Sequence, residues 1–168
     1  DIDKVKQLID KKALIDFRKR ALSINNVTRG TNENDDIYFQ ITEARNKYYN
    51  ALPDIVDNYM QKINEITGND YKPFNYYGDK AATKVIVAMG SVCETIKETV
   101  DILNQNNKKV GLIEVHLYRP FSSKYFFNVL PKSVKSIAVL DRTKEPGSKE
   151  PLYLDVSDIV KESNRKIK

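Results

Sequence analysis

The chain has 168 residues, 40% of them hydrophobic and 30% charged, with 28 basic against 23 acidic side chains and a formal charge of +5. That length holds one domain, or one domain with a lead-in, and the apolar content supplies a core. No apolar run reaches the roughly 18 residues needed to cross a membrane, no signal-peptide pattern opens the chain, and one cysteine, Cys93, excludes an internal disulfide. The basic excess sits partly in KKALIDFRKR and partly in KESNRKIK. Neither segment carries the interleaved aromatics or the motif of a nucleic-acid reader, so the expectation is no nucleic acid and no membrane as partner.

In chain order, Asp3 to Leu22 is periodic in the helical sense, with Val5, Leu8, Ile9, Ala13 and Phe17 on one face. Ser23 to Gln40 is rich in Asn, Asp, Thr and Gly, has no period, and reads as a loop. Within it, Arg29 and Gly30 fit an anion-binding turn or a linker turn salt-bridged to a neighbour. Ile41 to Thr67 is the longest helical signal, with Leu52, Ile55, Val56, Tyr59, Met60, Ile63 and Ile66 three and four apart. Pro53 suits a first helical turn, so the main helix is expected to begin near Leu52. Gly68 and Asn69 end it. Tyr71 to Gly78 is a turn-rich aromatic segment, expected as an extended approach to a sheet.

The organising stretch is Lys84 to Arg142. Val85–Met89, Val110–Leu117 and Ile137–Leu140 are short apolar runs rich in β-branched residues, as expected of strands covered on both faces. The segments between them are helical, so the strands are expected to be parallel neighbours with right-handed crossovers. Ser91 and Glu94 have the spacing of a capping box for the first helix, whose inward face carries Val92, Ile96, Val100 and Leu103. Cys93 falls in its first turn, as a packed side chain or as a thiol acidified by the helix dipole. Asn106 and Asn107 are its stop residues. Phe121 and Phe126 have hydrophobic-staple spacing around a second helix starting at Ser122, and Pro131 limits its end. Beyond lies an exposed loop, TKEPGSKEP. Leu152–Val156 reads as a fourth extended segment, with Asp155 or Ser157 capping a final short helix through Val160.

The carboxyl ends of parallel strands share one edge, where α/β folds bind ligands. Here that edge carries Gly90, Ser91, Arg119, Asp141, Arg142 and Lys144, a polar set of mixed charge. It fits an anion held at Gly90-Ser91, or a contact edge to another domain. No GxGxxG or GxxxxGK[ST] accompanies it. His116, the only histidine, is expected inside the second strand as a structural residue. With one histidine and one cysteine, the usual zinc site cannot be assembled, and no GxSxG supports a catalytic triad. The paired carboxylates Asp35 and Asp36 read as solvated.

Six further words stand in fixed order: TRGT, DIYFQ, FNYYG, VIVAMGSVCETI, VGLIEVHLYRPF, and IAVLDRTKEPG followed by EPLYLDV, with an EA…YY pattern between Glu43 and Tyr49. Together, from about Phe17 to Val156, they resemble the second domain of pyruvate:ferredoxin (flavodoxin) oxidoreductases, which looks like the C-terminal domain of transketolases. The loop between Gly147 and Glu150 looks about one residue short of that pattern. The resemblance implies a three-layer α/β/α domain with a mostly parallel sheet over residues 41–168, preceded by a helical lead-in and linker over 1–40. It implies a module of an enzyme that oxidises pyruvate and coenzyme A to acetyl-coenzyme A and CO2, using thiamine diphosphate, magnesium and iron–sulfur clusters. Electrons would pass to ferredoxin, flavodoxin or a fused flavoprotein, in a homodimer located in the cytoplasm or in a reduced organelle. The opening DIDKV, without methionine, then suggests a piece of a longer polypeptide. The Gly-Asp-Gly diphosphate motif and the CxxC cluster motifs do not occur in these residues, so no catalytic, cofactor or metal residue is carried over, and the fragment is expected to be an inactive structural, inter-domain module. The alternative is a stand-alone α/β domain that binds a small molecule at the strand-end edge.

Overall fold

Three apolar runs separated by amphipathic helices leave few topologies, and the chain adopts one in which the three strands are parallel neighbours joined through helices. The computed structural model describes residues 2–21 and 32–168. In chain order these form α1 (Ile2–Gln7), α2 (Lys11–Ala21), α3 (Tyr38–Ala44), α4 (Asn46–Thr67), β1 (Phe74–Gly78), β2 (Lys84–Ala88), α5 (Val92–Gln105), β3 (Val110–Val115), α6 (Ser123–Val129), β4 (Ser136–Val139) and α7 (Pro151–Glu162). The sheet order is β1-β3-β2-β4. β2 pairs in parallel with β3 on one side and β4 on the other, and β1 pairs antiparallel with β3. The expected α/β class and helical lead-in are both present.

Alternation along β2 builds the three layers. Val85 and Val87 point to one side, into a core with Phe126 and Leu130 of the α6 segment and Leu152, Val156 and Ile159 of α7. Ala88 points to the other side and packs with Leu112 against Cys93, Ile96 and Val100 of α5. On the α6 side, Phe74, Phe121 and Phe126 form a ring cluster with centroids 5.1–5.9 Å apart. The Phe121–Phe126 contact is the staple read from the sequence. Pro131 limits α6 as expected, since Leu130 before it is already extended.

The segment FNYYG is a full edge strand, where the sequence predicted only an approach to the sheet. Its alternation sends Phe74 and Tyr76 to the α6 side and Tyr77 to the α5 side. Tyr76 lies flat over Gly111, where a Cβ would collide with its ring, and its hydroxyl donates to the Asp79 carbonyl. Burial pushes the Tyr76 phenol up to about 12. Across the α5 side, the buried carboxylate of Glu114 accepts from Lys97 Nζ at 2.9 Å. Glu114 and then Glu94 raise the Lys97 ammonium above its ordinary value, so Lys97 stays charged throughout the physiological range.

Several helix ends differ from the sequence reading. The lead-in breaks into α1 and α2, because the Asp10 carboxylate accepts from the Ala13 amide at 2.9 Å and starts a new helix. Tyr38–Gln40 are helical, although the expected loop included them; Ser23–Thr31, with Arg29 and Gly30, lie outside the described residues. α4 begins at Asn46, six residues before the expected start, and Pro53 sits buried in its interior. Pro53 has no amide hydrogen to give the Tyr49 carbonyl, yet the helix runs through it. Gly68, at φ 77°, closes it as predicted. The capping box is absent: Ser91 is already helical, its side chain makes no cap bond, and Glu94 turns to Lys97 instead. Leu152–Val156 is helix, not strand. Pro151 occupies the first helical position of α7, and Leu152, Val156 and Ile159 form its buried stripe.

α4 docks on α6 through the Asp54 carboxylate, which accepts from Lys124 Nζ at 2.7 Å and from the Tyr125 hydroxyl at 2.8 Å. Those two donors hold Asp54 below its ordinary 3.8, so this clasp persists at neutral pH and loosens only as pH falls through the depressed value. Phe126 is fully buried and Phe17 is 60% exposed. Phe126→Ala is therefore expected to lower unfolding free energy by about 3–5 kcal/mol, and Phe17→Ala by less than about 0.5 kcal/mol, in urea titrations of the 168-residue chain. Equal losses would contradict the placement of the core.

Candidate functional site

The ends of β2, β3 and β4 lie along one edge of the sheet, as parallel pairing requires. At the end of β2 the chain turns through Gly90, at φ 80°, into α5, and the Cys93 amide donates back to the Gly90 carbonyl at 3.1 Å. The Ser91 hydroxyl is exposed with no cap bond. Cys93 is buried beneath this turn, and burial, then the nearby Glu114 charge, pushes its thiol up. It is a packed side chain; the dipole does not acidify it.

Of the six edge residues singled out, three are engaged in holding the fold. Asp141 lies just beyond β4, and its two carboxylate oxygens accept from the Leu152 amide at 3.2 Å and the Tyr153 amide at 3.0 Å. These are orphan donors of the first turn of α7, so Asp141 caps a helix ten residues further along the chain. Arg119, beyond β3, donates to Asp155 of α7 at 2.6 Å and to the Tyr118 hydroxyl at 3.2 Å, and its guanidinium stacks 4.5 Å from the Tyr118 ring centre. The Asp155 carboxylate raises the Arg119 guanidinium further. Lys144 pairs with Glu150 at 3.0 Å across the exposed loop. Arg142 is exposed and makes no hydrogen bond or ion pair among the described residues.

Four of the six line separate clefts. Ser91, Asp141 and Arg142 line a cleft of about 450 Å³ with Val92, Thr95 and Leu140. Arg119 lines another, of about 330 Å³, with Tyr49, Phe121, Asp155, Asp158 and Ile159. Asp155, expected as a helix cap, lies inside α7 and binds Arg119, 36 residues away, and Asp54, which the sequence did not single out, binds Lys124, 70 residues away; no local signal marks such partners. His116 lies one residue beyond β3, not within it, with Nδ1 3.0 Å from the Lys72 carbonyl and its ring edge-on to Tyr71. Among the described residues no group of three or more His, Cys, Asp or Glu could hold a metal ion, and no helix is long and apolar enough to cross a membrane.

A doubly wound sheet with one antiparallel edge, whose polar edge mostly ties its own helices down, defines an α/β module more than a self-contained pocket. Residues 82–168 match the family model described as pyruvate:ferredoxin oxidoreductase core domain II, and the chain belongs to that family. It is 59% identical over 158 residues to a pyruvate-flavodoxin oxidoreductase of Enterobacter agglomerans, covering 93% of this chain and 14% of the relative. It is 52% identical over 163 residues to the pyruvate:ferredoxin oxidoreductase of Moorella thermoacetica, covering 96% and 14%. A probable pyruvate-flavodoxin oxidoreductase of Escherichia coli is 51% identical over 148 residues, covering 87% and 13%. The chain thus spans about 14% of the length of the curated relatives it matches.

The Asp141 cap is separable from the exposed charge beside it. Asp141→Ala is expected to lower the unfolding free energy by about 1–2 kcal/mol and fray the first turn of α7. Arg142→Ala in the isolated chain is expected to change it by less than about 0.5 kcal/mol. Thermal unfolding with amide exchange at Leu152 and Tyr153 reads both; equal effects would show that Asp141 is not the cap.

Proposed function

We propose that this chain is a structural, inter-domain module of a pyruvate:ferredoxin or pyruvate:flavodoxin oxidoreductase, with residues 1–40 as lead-in and linker and 41–168 as the module proper. In this reading the whole enzyme oxidises pyruvate with coenzyme A to acetyl-coenzyme A and CO2, with thiamine diphosphate, magnesium and iron–sulfur clusters held by other domains. Ferredoxin, flavodoxin or a fused flavoprotein takes the electrons, and the enzyme is a homodimer in the cytoplasm or a reduced organelle.

The observation that carries this reading is where apolar surface lies exposed. Most of the large hydrophobic side chains left in water belong to α1–α4 and the turn before α3, among them Phe17, Phe39, Tyr48, Ile55 and Tyr59. Phe39 is 70% and Tyr48 66% exposed. Exposed aromatic and aliphatic side chains in such number point to a protein contact, and relatives about seven times longer provide the surfaces to meet it. The strand-end residues fit the same role. Asp141, Arg119 and Lys144 are engaged within the fold, which leaves Gly90, Ser91 and Arg142 as the edge offered to a neighbour.

Thiamine chemistry needs a magnesium ion held by oxygen ligands against the diphosphate and an acid group on the pyrimidine. The module's part is to position the domains that bring these together. Isothermal calorimetry of the 168-residue chain with thiamine diphosphate and magnesium is expected to give no saturable heat, and pyruvate is expected not to reduce an added viologen dye. Saturable micromolar binding or dye reduction would overturn the scaffold reading.

A further inference from the structure

We infer that the uncovered side of β4 receives one α-helix from elsewhere in the longer polypeptide, lying alongside α5 and setting a carboxylate against Arg142. The inference rests on the inter-domain reading above and names the surface and the kind of segment that meets it.

Among the described residues, β4 is covered on one side only. Its Ile137 and Val139 pack into the core beneath α7. On the other side Ala138 stands in register with Ile86 of β2. Ile86 packs with the group beneath α5, but Ala138 is exposed and Leu140 is 44% exposed. α5 leans towards β1 and β3, where its Asp101 accepts from Tyr77 and its Lys97 meets Glu114. The strip of sheet over β4 is left without a roof.

The flank of α5 that borders this strip is built like a helix contact. Val92, Thr95, Thr99 and Ile102 recur three and four apart, so they form one stripe. Val92 and Thr95 line the same cleft as Leu140, which fixes the stripe on the β4 side. Ile102 is 60% exposed. Thr99 gives its hydroxyl to the Thr95 carbonyl at 3.0 Å, so its hydrogen is satisfied within the helix. The stripe carries no charge, whereas Glu94, Lys97, Glu98 and Asp101 occupy the rest of the exposed surface of α5. From Val92 to Ile102 the wall is about 15 Å long, three turns of helix.

The occupant is a helix because the slot lies on the face of the sheet. An extended segment laid on that face finds no backbone partners, since the β4 hydrogen bonds lie in the plane of the sheet, to β2 on one edge and to Lys168 on the other; a helix satisfies its own backbone. Neighbouring helices pack at about 8–10 Å between axes, which places such a helix directly over Ala138 and Leu140. Charge sets its chemistry at one end. Arg142 has no partner among the described residues, and the Asp141 carboxylate beside it is turned away to the amides of α7. An Asp or Glu on the incoming helix supplies the missing counter-charge.

The test places the photo-crosslinker p-benzoylphenylalanine at position 99 in the full-length polypeptide, with position 98 on the outer face of α5 as background and position 39 on the exposed α3 surface as a probe of the inter-domain reading. Adducts are mapped by mass spectrometry. Position 99 is expected to join one helical segment outside residues 1–168 that bears an Asp or Glu. Arg142→Glu is expected to cut that yield at least about tenfold, the effect of roughly 1.4 kcal/mol, while Arg142→Lys leaves most of it. Circular dichroism of the Arg142→Glu chain confirms that the fold persists. Adducts only to a second copy of residues 1–168, adducts to a non-helical segment, a yield no greater than at position 98, or a yield indifferent to Arg142→Glu would each overturn the inference. If position 39 finds a partner domain while position 99 does not, the inference falls and the inter-domain reading stands; if neither does, both fall.

Discussion

The structure depends on β2 being the middle strand. Among the described residues it is the only strand paired in parallel on both edges, and its side chains enter two cores in alternation. Val85 and Val87 fix α6 and α7 on one side, and Ala88 fixes α5 on the other. A shift of register by one residue would exchange the two sets of side chains and empty both cores at once. Because both faces of β2 are filled, its sequence is a near-continuous apolar run, and that is also why it is so readable. The two crossovers then go to opposite faces, which brings the ends of β2, β3 and β4 to one edge.

What lay on that edge was only half legible. Strand positions follow from apolar runs, so the placement of Gly90, Ser91, Arg119, Asp141 and Arg142 at strand ends could be read in advance. Their partners could not. Asp141 binds amides of α7 and Arg119 binds Asp155, and both partners were hidden because PLYLDV reads equally well as strand or helix. The same ambiguity of short segments hid β1, whose two tyrosines gain their meaning only from Gly111 beneath Tyr76. Ser91 and Glu94 had the right spacing for a cap, yet Lys97 and the buried Glu114 draw the charges of this helix into a different network. Pro53 misled for a related reason. Its lack of an amide hydrogen favours a first turn, but packing of its ring in a buried position keeps it inside α4.

The two parts of the chain differ in self-sufficiency. The sheet and α5–α7 bury Phe74, Phe126, Leu112, Ile113 and Leu152 almost completely, whereas Pro53 is the only fully buried residue of α4. α4 is tied to the rest by the exposed Asp54 clasp and by the Asn64 side chain on the Tyr71 backbone, and α1–α4 otherwise leave aromatic and aliphatic side chains in water. Beside relatives about seven times longer, such a division suits a module that folds around its own sheet and finishes its helical surface on neighbouring domains. In the proposed reading, that role asks for shape and surface from this chain and leaves the chemistry to other domains.

Native-state hydrogen exchange on the isolated chain tests this division most directly. The amides of Val87 and Ile113 are expected to exchange only through global unfolding, while those from Val5 to Phe17 exchange at least about a hundredfold faster through local opening. In the full-length polypeptide the latter are expected to slow towards the values of the sheet. If α1 and α2 in the isolated chain are already as protected as β2, the helical surface needs no neighbour and the modular role assigned to it is wrong.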